Sequence, residues 1–185
     1  MTDPLHTGRM VPATKPPFSL VRLGASHPVE NFTCGSRPGA AEIDEYLKTH
    51  ALMEQAQGLS SVWLAIDNDG QGPSSPIAGY FSLSPLSIRL SDSLLESVGL
   101  SDVQYRTVGG YLLGRLGVAV HLQGKGLGAV LIAMAIKIAR QVRHEAGGAF
   151  LAVDPKSAEL LAWYESLDFG FRRLDPSRSR LVLRL

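Results

Sequence analysis

Cysteine is nearly absent: Cys34 is the one thiol in 185 residues. That excludes a disulfide framework within the chain and a cysteine-rich zinc site. A reducing cytoplasm suits such a sequence. Net charge is equally scarce, with 18 Lys and Arg against 17 Asp and Glu leaving +1. Nothing in that balance draws the whole molecule to a polyanion or a membrane surface, so an RNA partner would need a local basic patch. No apolar run approaches the ~20 residues of a membrane span. The first seventeen residues, MTDPLHTGRMVPATKPP, lack the apolar centre of a signal peptide and read as a flexible leader. Internal repeats are missing too, and 18–185 reads as one domain with a core of useful size.

The order of elements can be read along the chain. Phe18–Leu23, Ser61–Ile66 and Ile77–Leu83 are strand-like, and Ile88–Leu90 extends the sheet. A loop runs from Asp67 to Pro76. Ile43, Tyr46, Leu47, Ala51 and Leu52 recur at helical spacing between Ala40 and Gln55. Ser93-x-x-Glu96 resembles a capping box opening a short helix. Leu112–Val120 is a strand, and Gly126 to about Arg143 is a helix with Val130, Leu131, Met134, Ile138 and Val142 as its buried stripe. Phe150–Val153 is a strand, and Asp154-Pro155 reads as N-cap and first residue of a helix reaching Ser166. Phe169–Leu174 and Arg180–Leu185 form a closing hairpin. Hairpins mixed with crossovers indicate an α+β layer with a mixed sheet.

The stretch Leu112–Arg140 holds most of the functional information. An apolar strand feeds a turn containing Gly124, Gly126 and Gly128, and a helix begins there. Such a junction binds anions, because first-turn N–H groups point outward and the helix dipole favours negative charge. A P-loop is excluded, since Ala119 and Gly126 stand where it needs glycine and Ser or Thr. Gly124-x-Gly126-x-x-Ala129 matches a dinucleotide fingerprint literally. Too little chain follows it to complete a doubly wound sheet, so an oxidoreductase is a remote reading. A glycine turn without any ligand is the plain alternative.

Gln123-Gly124-Lys125-Gly126-Leu127-Gly128, after an apolar strand and at a helix start, resembles the acyl-CoA turn of the GNAT superfamily of N-acetyltransferases. Leu112–Val118, Ile77–Ser84, Phe32-Thr33-Cys34-Gly35 with Ile43–Leu47, and Ala162-Trp163-Tyr164-Glu165 resemble its toxin branch. Those toxins pair with ribbon-helix-helix antitoxins and acetylate aminoacyl-tRNA. The resemblance implies an α+β fold with a GNAT-like mixed, mostly antiparallel sheet flanked by helices. It implies acetyl-CoA as co-substrate, with no metal. Leu116, Val118 and Val120 would pair with the pantetheine arm, the Val118 N–H serving the oxyanion. Gln123, Gly124, Lys125, Gly126, Leu127 and Gly128 would hold the diphosphate, and Tyr164 would act as general acid. A packed helix aromatic is the bland reading of Tyr164.

An aminoacyl-tRNA acceptor needs cations, and Lys48, Arg89, Arg106, Arg115, Lys137, Arg140, Arg143, Arg172 and Arg173 are available. Lys137, Arg140 and Arg143 share helical spacing and would track phosphate together with Arg89. A solvated helix face is the competing view of those three. Arg115 lies in the core strand, where pairing with a carboxylate would explain it. Cys34 reads as packed rather than reactive. An antitoxin, and a second copy of the chain as homodimer, complete the expected partners. The other functions to weigh are an acetyltransferase for a small amine or a protein N-terminus, and a non-catalytic acyl-CoA-binding module.

Overall fold

The computed structural model describes residues 18–68, 77–174 and 179–185. The expected leader, 69–76 of the expected loop and 175–178 of the expected closing hairpin lie outside the described residues. The elements are β1 (Phe18–Arg22), α1 (Ala40–Glu45), α2 (Ala51–Ala56), β2 (Ser61–Asp67), β3 (Ile77–Arg89) and α3 (Asp92–Ser97). There follow β4 (Thr107–Val118), α4 (Leu127–Ala146), β5 (Phe150–Val153), α5 (Ala158–Ser166), β6 (Arg172–Arg173) and β7 (Leu181–Arg184). The described strands form one sheet in the order β1-β2-β3-β4-β5-β7-β6. Every pairing is antiparallel except β4 with β5, the α4 crossover making that pair parallel. The expected mixed, mostly antiparallel sheet and its element order are therefore found.

Several local expectations are corrected. The stretch expected as one helix is α1 and α2 joined by a π-helical turn at Tyr46–His50, and Leu52 is 42% exposed. β3 is continuous through Arg89, with a register shift at Ser82/Leu83 absorbing the break in alternation. The capping box does not form. Ser91 precedes α3 in extended conformation, which puts Ser93 inside the helix and Glu96 near its end. Asp154 does not cap α5, because the Arg180 guanidinium holds both its oxygens at 2.6 Å. The helix starts later, where Ser157 Oγ accepts from the Leu160 N–H at 3.2 Å.

The buried face of α4 is rotated from the expected stripe. Leu127, Leu131, Ile132, Ala135, Ile136 and Ala139 are buried, whereas Val130 and Val142 are exposed. Ala135 and Ala139 let the helix sit close to β3 and β4, so the small residues mark the face that meets the sheet. On that side α4 and α5 pack against Phe81, Leu113, Leu151, Val153 and Leu181. On the other face, the α1–α2 segment covers Val62, Leu64 and Tyr80, while α3 lies with Phe150, Ala152 and Val182.

Candidate active site

A gap in the sheet is built by unequal strand lengths. β5 is four residues long and covers only Gly110–Leu113 of β4. Asp154 then turns to Arg180, and Pro155 has no N–H to continue the ladder. β4 runs on through Gly114–Val118, where β3 is its one strand partner among the described residues. The Ala119 N–H donates to Ala78 O at 2.9 Å. Antiparallel alternation from that pair turns the N–H and C=O of Leu116 and Val118 away from β3, into the gap. Leu116 thus presents backbone to the gap, whereas Val118, equally unpaired with any strand on that side, has local partners. The Val118 N–H lies against the Cys34 sulfur, a weak acceptor, and its carbonyl accepts from Gln123 Nε2 at 3.1 Å.

Val120 does not extend this edge. The strand ends at Val118, the Val120 N–H donates to Thr33 O at 2.9 Å, and a 3-10 turn follows over Val120–Leu122. Gln123 has a different role from its neighbours too. Its Nε2 bonds Cys34 O at 2.8 Å as well as Val118 O, and its N–H is spent on Val120 O at 3.4 Å. Gln123 therefore latches the turn to the Thr33–Gly35 strap. That strap is itself pinned to α1, since Asp44 accepts from Thr33 Oγ1 at 2.7 Å and from the Cys34 N–H at 2.8 Å.

The expected anion cradle begins at Gly124. Gly124 and Gly126 have φ of 74° and 83°, a region that disfavours any side chain. A Cβ at either would meet nothing within 4 Å, so the turn faces open space. Gly126 is the N-cap of α4, with no side-chain capping bond, and the first-turn N–H groups lack intrahelical partners. Lys125 is exposed beside them, and Leu127, 5% exposed, anchors the first turn in the core. Gly128 is small for a different reason: a Cβ there would lie 3.2 Å from Trp163 Cη2, so α5 rests directly on the turn.

Tyr164, next to that tryptophan, is buried. Its ring meets Trp163 edge-on at 5.0 Å and Phe171 at 5.8 Å. No hydrogen bond restrains its hydroxyl among the described residues. Burial pushes the phenol up to about 12, so it stays protonated through neutral pH. Tyr164 shares one apolar cluster with Leu116, Val118 and Trp163. Cys34 is buried as expected, its thiol pushed up to about 12 by burial and then by Asp44.

The expected RNA-binding cations do not converge on the turn. Arg89 ends β3, ten residues from Gly79, which places it about 33 Å along the strand from the turn's end of the sheet. Lys137, Arg140 and Arg143 are exposed along α4, about 16 to 26 Å from its N-cap. Arg143 donates to Leu185 O. The described residues contain no His/Cys/Asp/Glu cluster fit for a metal, and no described helix is long and apolar enough to cross a membrane. Sequence reasoning missed the Trp163–Gly128 contact and the Arg115–Tyr46 pairing described below, both made between distant segments.

Residues 36–171 match the model described as "Acetyltransferase (GNAT) family". Among solved structures, a tyrosine-to-phenylalanine mutant of KacT superposes with a TM-score of 0.76 at 20% identity, covering 90% of this chain and 94% of the other. AtaT complexed with acetyl-methionyl-tRNAfMet gives 0.75 at 22% identity, covering 90% and 94%. AtaTR bound with acetyl-CoA gives 0.72 at 22%, covering 90% and 93%. At these identities the likeness is one of fold.

Proposed function

The chain belongs to the acetyltransferase (GNAT) family, and within it we propose an acetyl-CoA-dependent N-acetyltransferase acting on the α-amine of aminoacyl-tRNA. Acetyl-CoA, when bound, supplies an activated thioester carbonyl. The N–H groups of Gly124–Gly128 hold its diphosphate, with Lys125 adding a point charge. Leu116 and Val118 offer backbone groups to the pantetheine amides, and the Val118 N–H stands in the place of an oxyanion donor. As the amine nitrogen bonds to the carbonyl carbon and the C–S bond breaks, Tyr164 hands its phenolic proton to the departing thiolate, and the proton released by the amine restores the phenol. An α-amine of ordinary pKa, about 7.7–8.0, is partly neutral at pH 7, so the acceptor does not demand a strong base.

The tRNA acceptor is supported by fold likeness to AtaT, which has been solved with acetyl-methionyl-tRNAfMet. AtaT has also been solved with the C-terminus of the antitoxin AtaR, which supports an antitoxin partner, of ribbon-helix-helix type by the sequence resemblance. A homodimer also belongs to the proposal. An enzyme acting on charged tRNA would work in the cytoplasm. A second reading, acetylation of a small amine or protein N-terminus, draws on the net charge of +1 and the distance of Arg89 from the turn.

Labelled acetyl-CoA offered with charged tRNA decides between them. Label on aminoacyl-tRNA, lost when the pool is deacylated first, is the expected result. Label on free amino acids or peptides with none on tRNA would favour the second reading. Steep weakening of tRNA binding with rising salt is expected alongside.

A further inference from the structure

Arg115 is a cation without a counter-charge at the edge of the gap. Among the described residues no carboxylate pairs with it, which overturns the expectation of a structural ion pair. Its guanidinium lies 5.0 Å over the Tyr46 ring, and one hydrogen bond is used, from Nη1 to Gly114 O at 3.0 Å. The side chain is half-buried, answered by an aromatic face and one carbonyl but by no carboxylate among the described residues.

Two irregularities of the backbone create this placement. Between the pairs Ser82↔Arg115 and Leu83↔Leu113, Gly114 is an extra residue in β4. Such a bulge re-aims the following side chain. Arg115 consequently projects on the side of Gly117, where Ile43, Tyr80 and Cys34 lie, away from α4. The second irregularity is the π turn at Tyr46–His50, a rare conformation that recurs at functional sites. It seats Tyr46, whose hydroxyl donates to Glu54 at 2.9 Å and meets Ser60 Oγ at 3.2 Å. Tyr80 stacks beneath it with centroids 6.5 Å apart, and its own hydroxyl is tied to Ile43 O. Glu54 is thereby engaged by Tyr46, and the guanidinium rests on a fixed aromatic face with most of its donors unspent.

A guanidinium fork of this kind matches phosphate in two parallel bonds. Arg115 stands three residues before Val118, about 10 Å along the strand, on the scale of the span from amine to 5′-phosphate in an aminoacyl nucleotide. We propose that Arg115, seated on Tyr46, binds the phosphate of the 3′-terminal nucleotide of the acceptor, so that the amine enters the gap from the face opposite α4. This inference rests on the aminoacyl-tRNA reading above and names the residue that would give it its specificity.

The test uses the full chain, charged tRNA and two stable acceptors, 3′-aminoacylamino-adenosine and its 5′-phosphate. Wild type should show a KM roughly 10- to 100-fold lower for the phosphorylated analogue, the range of a hydrogen-bonded charge pair. Arg115→Met should raise KM for charged tRNA and for the phosphorylated analogue by a similar factor, and the phosphate preference should collapse. Arg115→Lys should restore part of the preference, since it keeps charge but not the fork. Equal KM for the two analogues in wild type would overturn the inference with no variant needed. So would an Arg115→Met effect of the same size on both analogues, which marks a merely structural role. Label on none of the three acceptors would overturn the aminoacyl-tRNA reading itself, and this inference with it.

Discussion

Tyr164 combines two properties that are rarely joined: it is buried among aromatic rings, yet no hydrogen bond restrains its hydroxyl among the described residues. A proton donor must be protonated at working pH, and burial keeps this phenol so. Tyr164→Phe removes one oxygen and leaves the packing. Acetyl-CoA affinity by calorimetry should be retained while single-turnover transfer falls roughly 10²–10⁴-fold. Unchanged transfer would make Tyr164 a packing residue. Tyr164, Cys34 and Tyr80 all have raised pKa values, burial being the largest cause for each. The unfolded chain therefore releases these protons first as pH rises, from about 8.5 for the thiol and about 10 for the phenols. Stability is full below that window and is lost through it, by up to about 1.4 kcal/mol per pH unit for each group in transit. Urea midpoints should fall between pH 8.5 and 11, and a flat profile would refute the burial argument.

At the scale of elements, the turn into α4 is a backbone device. Gly124 and Gly126 need positive φ, whereas Gly128 needs room for Trp163. Gly126→Asp strains the N-cap by about 1–2 kcal/mol and sets a carboxylate where the diphosphate is proposed to bind. Acetyl-CoA binding should be lost with the circular dichroism spectrum retained; undiminished affinity would remove the turn from the cofactor site. On the exposed side of the same helix, reversing charge at Lys137 and Arg140 should weaken tRNA binding and leave acetyl-CoA affinity nearly intact. If tRNA binding does not change, that face is merely solvated.

For the whole molecule, the β4–β5 pairing joins the antiparallel set β1–β4 to β5, β7 and β6. Gly110 sits at that seam. A Cβ there would stand 2.5 Å from Phe150 O, and backbone cannot step aside as a side-chain tip can. Gly110→Ala should destabilise by about 1–3 kcal/mol, as overpacking does, read as a lower denaturant midpoint. The gap that hosts the proposed chemistry opens just beyond this seam, so the same substitution should also weaken acetyl-CoA binding.

Local pattern determined the element order, the mixed sheet and the glycine turn, because hydrophobic period and turn chemistry act over a few residues. The likeness of Gln123–Gly128 to an acyl-CoA turn pointed to the family, and the sequence match over 36–171 agrees. Packing between distant segments decided the rest. Which stripe of α4 is buried depended on Ala135 and Ala139 meeting the sheet, a preference invisible when large apolar residues alone are counted. Asp154 was drawn from its expected cap by Arg180, 26 residues away. Gln123 became a latch because Cys34 O lies within its reach. Arg115, with no carboxylate partner among the described residues, is placed by a bulge in the β3–β4 register and rests on Tyr46 of a π turn about seventy residues away in sequence. Sequence spacing reports what one segment favours, but which segment meets which is settled by where the sheet brings them together.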